Sequence, residues 1–170
     1  LMALFFLLTF YGFVRSIDSS RPRVWRALAI IACLLGVGTK EVIATAPVLL
    51  LLYDRTFVAG SFRGAWAARR GFHLLLAATW LPLAALVAGT GWDRGGTAGC
   101  DVGVTPSAYW CTQFQALVHY LRMGVWPHPQ IFDYGTFWYV YGAAAPYALV
   151  IIVLAAATLV ALWRWPAAGF

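Results

Sequence analysis

Charged side chains are scarce in this chain, so the few that interrupt its apolar runs carry most of the chemical information. Lys40-Glu41 separates two apolar stretches, Val24–Thr39 and Val42–Tyr53. A lysine there is a compact point charge for an anion. Arg122, further along, is a flat fork that can grip a phosphate or carboxylate with two N–H groups. Downstream, Trp126-Pro127-His128-Pro129 precedes Phe132-Asp133-Tyr134-Gly135. Two prolines fix the chain while His128, Asp133 and Tyr134 bring polar chemistry to an apolar setting. Such groups contact one another, a headgroup or a substrate. Each also has a plainer reading. Lys40-Glu41 can be a local ion pair, Arg122 a snorkelling cation, and His128 with Asp133 a network that pins the loop. Asp54-Arg55 reads as a helix-end anchor, and His73 as an interfacial residue near Arg69 and Arg70; His119 stays open.

Other reactive patterns are missing from the sequence. No CxxC pair, Cys/His metal spacing, HExxH or Ser/His/Asp order occurs, so no metal or cofactor is expected. The glycine-rich run Gly89–Gly103 lacks the GK[ST] ending of a phosphate-binding loop. GxxxG spacing within it falls in a loop and implies no helix pairing.

The elements that must position these residues follow from composition. Of 170 residues 62% are apolar and 11% charged, with a mean hydropathy of +0.77, which excludes an ordinary soluble domain. The net charge is +6, and 11 of the 12 basic residues are arginine. The arginines sit between apolar runs, so membrane topology and anionic headgroups account for them and nucleic acid is not expected as a partner. The chain opens inside an apolar run without the flanks of a signal peptide and stops at Phe170, which reads as a fragment.

The apolar runs predict an all-α, polytopic membrane bundle forming part of one transmembrane domain. Spans are expected near 1–14, 24–39, 42–53, 72–89 and 143–163, with an outer segment over 90–142. The runs 24–39 and 42–53 are short against the roughly 20 residues that cross a 30 Å hydrocarbon core. They form either a hairpin with Lys40-Glu41 at its tip or one long helix burying that pair, where a central Lys or Asp costs about 2.5–3.5 kcal/mol. With the hairpin, nine basic residues lie inside and Lys40, Arg94 and Arg122 outside; with one long helix that bias vanishes. The hairpin is the reading adopted, and Gly36-Val37-Gly38 suits the reversal.

The outer segment is too aromatic for disorder. Thr105-Pro106-Ser107 starts a helix predicted over 107–126, lying at or dipping into the outer interface and ending at Trp126-Pro127; a full span is the rival, made expensive by Gln113, Gln115, His119 and Arg122. Its aromatics also fit a simple interfacial belt. Cys100 and Cys111 would meet an oxidising compartment there, either bridged or as two free thiols; Cys33, in mid-span, reads as packing.

Three stretches in order resemble the multispanning GT-C-type glycosyltransferases, specifically the transmembrane and tetratricopeptide-repeat O-mannosyltransferases and their bacterial relatives. They are TKEVIATAPVLLLLYD (Thr39–Asp54), YLRMGVWPHP (Tyr120–Pro129) and FDYG (Phe132–Gly135), covering roughly residues 24–140. The resemblance implies transfer of a sugar, mannose typically, from a polyprenyl-phosphate carrier to a protein acceptor at the outer face. It implies donor-phosphate contacts from Lys40 and Arg122, and sugar or acceptor contacts from Glu41, His128, Asp133 and Tyr134. The family's catalytic carboxylate sits on a first outer loop, which falls upstream of Leu1. Tetratricopeptide repeats would follow the membrane part, and no 34-residue repeat appears here. The expected location is a bacterial inner membrane, with 90–142 periplasmic. A non-catalytic scaffold or transporter segment, or a ligase for lipid-linked glycans, are the rival readings.

Overall fold

The computed structural model describes residues 1–89, 105–128, 131 and 141–170, without the side chains of Pro106 and Tyr141. All regular structure among them is helical. The chain divides into two compact units, Leu1–Gly91 with Phe170, and Trp92–Gly169.

The first unit opens with α1 (Met2–Asp18) and α2 (Pro22–Val37). Within α1 the hydroxyls of Thr9 and Ser16 donate back to the carbonyls of Phe5 and Phe13, both at 2.7 Å, so neither is orphaned by burial. Pro22 starts α2, where its missing N–H costs nothing. The two helices pack antiparallel through small residues: Gly12 lies against Trp25 and Ala29, and Gly36 against Phe5.

At the far end of α2 the Thr39 hydroxyl and N–H both bond the Gly36 carbonyl, at 2.7 and 2.9 Å, and the helix stops. A 3-10 turn (Glu41–Thr45) leads into α3 (Ala46–Tyr53), with Pro47 in its first turn. Ile43 packs on Gly36, while Tyr53 meets Phe10 and Phe13 edge-on. The segment from Glu41 to Tyr53 therefore returns antiparallel to α2. The stretch expected as one span over 42–53 is thus split between two helix types.

A π-helical turn (Asp54–Val58) follows α3, and Gly60 takes the left-handed backbone (φ 71°) that turns the chain. Ser61 caps α4 (Phe62–Ala77) by accepting from the Gly64 N–H at 3.0 Å. α4 climbs back past Phe13, which stacks on Phe72 at 5.3 Å, and α5 (Trp80–Gly89) continues from it. The Trp80 indole donates to the Ala44 carbonyl at 3.0 Å, tying the start of α5 to the 3-10 turn. The core holds Phe13, Ala29, Cys33, Ile43, Leu50 and Leu76, all fully buried.

The second unit contains α6 (Pro106–Val125), α7 (Tyr141–Arg164) and the short α8 (Pro166–Gly169). The Thr105 side chain accepts from the Ala108 N–H at 3.2 Å, so α6 starts at the cap that Thr105-Pro106-Ser107 predicts. Cys111 on α6 and Ala144 on α7 are buried.

Two helical stretches, Phe62–Gly89 and Gly142–Arg164, are long and apolar enough to cross a membrane. Large apolar side chains cover the outer faces: Leu7, Leu28, Leu75 and Leu81 in the first unit, Ile152 and Leu159 on α7. A helix as apolar as α7 needs a non-aqueous medium or partners around it.

Candidate functional site

Lys40 and Glu41 sit in the turn between α2 and the 3-10 turn. Lys40 has an extended backbone (φ −166°, ψ 142°) and an exposed side chain, and Glu41 follows half-buried in the first position of the 3-10 turn. Following the chain through its contacts puts this turn at one end of the first unit. The turns bearing Arg15, Arg21, Arg23, Arg55 and Arg63 lie at the other. An open apolar groove of about 130 Å³ runs between α3 and α4, lined by Pro47, Val48, Leu51, Trp66, His73 and Trp80 among others; Lys40 is not part of its wall.

In the second unit Arg122 occupies the last turn of α6, where a cation favours the carbonyl end of the helix, and is exposed. His128 is exposed too, its N–H donating to the Trp126 carbonyl at 2.8 Å. Asp133 and Tyr134 lie outside the described residues. Lys40 and Glu41 thus share one unit, and Arg122 and His128 the other. Cys111 is a buried free thiol, while Cys100 falls outside the described residues. Among the described residues no His/Cys/Asp/Glu cluster has a metal-binding arrangement.

A second polar cluster lies at the arginine-rich end of the first unit. Asp54, fully buried, receives His73 Nε2 at 2.8 Å on Oδ2. An Arg69 guanidinium nitrogen lies 3.0 Å from Oδ1. Among the described residues Oδ1 has no aligned hydrogen-bond donor, so that second contact is an ion pair without hydrogen-bond geometry. Among the described residues neither His73 Nδ1 nor Arg69 Nε has a hydrogen-bond partner. Phe13 and Phe72 flank the His73 ring at 6.2 and 5.4 Å. Nearby, Arg55 stacks on Phe62 at 5.1 Å and Arg15 on Trp25 at 5.6 Å.

Sequence reading treats Asp54 as an end anchor and His73 as interfacial, and so misses this cluster. Part of the signal was present, because Arg69 and His73 are four apart and share a helix face. The carboxylate they share comes from another element, and only the tertiary fold supplies it.

No family model matches the chain, and neither a curated protein nor a solved structure is similar to it.

Proposed function

We propose that this chain is a multi-pass piece of a membrane glycosyltransferase of GT-C type, using a polyprenyl-phosphate sugar as donor. The observation that carries the reading is the setting of Lys40. It is an exposed cation in an extended turn, next to a motif that resembles the family, at the arginine-poor end of a helical unit with an apolar exterior. In this reading Lys40 meets the donor phosphate and Arg122 is a second, bidentate contact. Glu41, His128, Asp133 and Tyr134 contact the sugar or the protein acceptor.

The acceptor hydroxyl oxygen bonds to the anomeric carbon as the bond from that carbon to the phosphate oxygen breaks. Polyprenyl phosphate leaves with the electron pair, and a carboxylate outside these residues takes the hydroxyl proton. Charge builds on the departing phosphate, and a fixed cation there is stronger in the transition state than in the ground state. In this reading the Lys40 turn and residues 90–142 face the periplasm of a bacterial inner membrane. The scaffold or transporter alternative needs one long helix through Lys40-Glu41, and the end of α2 at Val37 counts against it.

The test is sugar transfer by the full-length protein in membranes, from a polyprenyl-phosphate sugar. Lys40→Ala is expected to lower kcat by about 10²–10³-fold, the loss typical of one transition-state charge partner. Lys40→Arg should recover part of it. Unchanged transfer by Lys40→Ala would remove Lys40 from the site. A cysteine at position 40 that the donor fails to shield from a thiol reagent would do the same.

A further inference from the structure

The helix α4 is not straight. At Arg69 the backbone leaves helical values (φ −140°, ψ 25°), dividing α4 into a first stretch over 62–68 and a second that begins at Arg70. No proline lies at this break. The residue at the break is the one whose guanidinium reaches Asp54, so the bend and the ion pair share a side chain.

The two stretches differ in character. Residues 70–89 carry one cation, at their start, and would extend about 30 Å as a helix, the thickness of a hydrocarbon core. The first stretch buries Ala65, and Arg69 at the bend is mostly buried; Arg63 stays exposed and the rings of Phe62 and Trp66 are half-exposed, at 49% and 47%. Cations interleaved with half-exposed aromatics are the composition of a helix lying in the headgroup layer.

We infer that residues 62–69 form an interfacial foot, held bent from the span by Arg69 on Asp54, which docks on anionic lipid headgroups. The charge at this end selects the partner: among the described residues of the first unit, Arg15, Arg21, Arg23, Arg26, Arg63, Arg69 and Arg70 lie there with the acidic Asp18 and Asp54. Anionic lipid at the cytoplasmic surface is the complement of such an excess. Asp54 acts as a positioning residue, since it touches Arg69 and His73 and leaves the lipid contacts to Arg63, Trp66 and Arg70. The inference rests on the membrane-spanning part of the proposed reading and is independent of sugar transfer.

The experiment places a spin label at Ala67→Cys in the full-length protein, with Cys33, Cys100 and Cys111 replaced by alanine. The protein is reconstituted in vesicles of phosphatidylcholine alone or mixed with phosphatidylglycerol. Resistance to carbonate extraction, scored first, tests the membrane reading by itself; a protein that is extracted overturns both. For an inserted protein, label depth is read from its accessibility to oxygen and to a water-soluble nickel chelate. The expected result is headgroup depth with phosphatidylglycerol and a shift toward water without it. Asp54→Asn should release the foot to water in both lipids. Arg63→Gln with Arg70→Gln, both exposed positions away from the core, should abolish the lipid dependence and keep the fold. A label in water in both vesicle types, or at hydrocarbon depth as a straight helix demands, overturns the inference. So does lipid dependence that survives loss of both arginines.

Discussion

Close backbone approach at Gly12 makes α1 and α2 a pair. A Cβ there would lie 3.0 Å from the Trp25 carbonyl oxygen and 3.2 Å from the Ala29 nitrogen. Both obstacles are backbone, which cannot swing aside as a side chain can. Two effects of a larger residue oppose each other. Replacing a mid-helix glycine gains up to about 1 kcal/mol of helix propensity, whereas forcing atoms into a packed contact costs about 1–3 kcal/mol. For Gly12→Leu the second wins, and thermal unfolding in detergent is expected at lower temperature, with α1 and α2 pushed apart. Gly71 is the internal comparison, because among the described residues no atom of a neighbouring element lies within 4 Å of its would-be Cβ. Gly71→Ala should hold or raise the unfolding temperature. Equal losses at both positions would mean that the α1–α2 contact is not what Gly12 serves. Of the residue-scale detail, the small-residue seam was not read from the sequence. Glycine in an apolar run says that something approaches closely, but not which helix does.

At the scale of elements, the legible features are those whose cause is local. Thr105 with Pro106 behind it announces a helix start, since the hydroxyl supplies an acceptor that the first turn lacks and proline gives up no donor. The end of α6 at Trp126 was equally local, with Pro127 next in the chain. The 3-10 turn at Glu41–Thr45, the π turn at Asp54–Val58 and the bend at Arg69 were not legible. All three lie in or beside runs whose apolar periodicity is the same for any helix type, and packing decides among them. The cluster of Asp54, Arg69 and His73 was hidden for the same reason. The local cause at Thr105 has a measurable size. Thr105→Ala removes the acceptor for the Ala108 N–H, and the loss of an N-cap costs about 1 kcal/mol. Hydrogen exchange of the amides over 107–110 should speed up about fivefold, the factor that 1 kcal/mol gives, while those over 118–125 keep their rates. Unchanged rates over 107–110 would show that packing holds this end and that the cap adds nothing, and a uniform change along α6 would show that the helix opens as one unit.

On the scale of the whole molecule, helix length and charge placement constrain each other. α2 runs from Pro22 to Val37, 16 residues, or about 24 Å at 1.5 Å per residue. A hydrocarbon core is about 30 Å thick, so α2 falls short by roughly 6 Å. Arginines at its first turns can make up the difference, because their long stems stay in hydrocarbon while the guanidinium reaches the headgroups. Arg23 and Arg26 lie where this requires them, and Lys40 is exposed three residues past the other end. In the proposed reading the same asymmetry would set orientation, with the arginine-rich end of the first unit held on the cytoplasmic side. The expectation is therefore specific about sides. In intact cells, cysteines introduced at Ser20 and Arg63 should resist a membrane-impermeant thiol reagent and react only after permeabilisation. A cysteine at Thr39 should react at once. If positions 20 and 39 react from the same side, α2 does not cross. The arginines then mark a surface helix pair, and the donor-phosphate role of Lys40 loses the topology that it depends on.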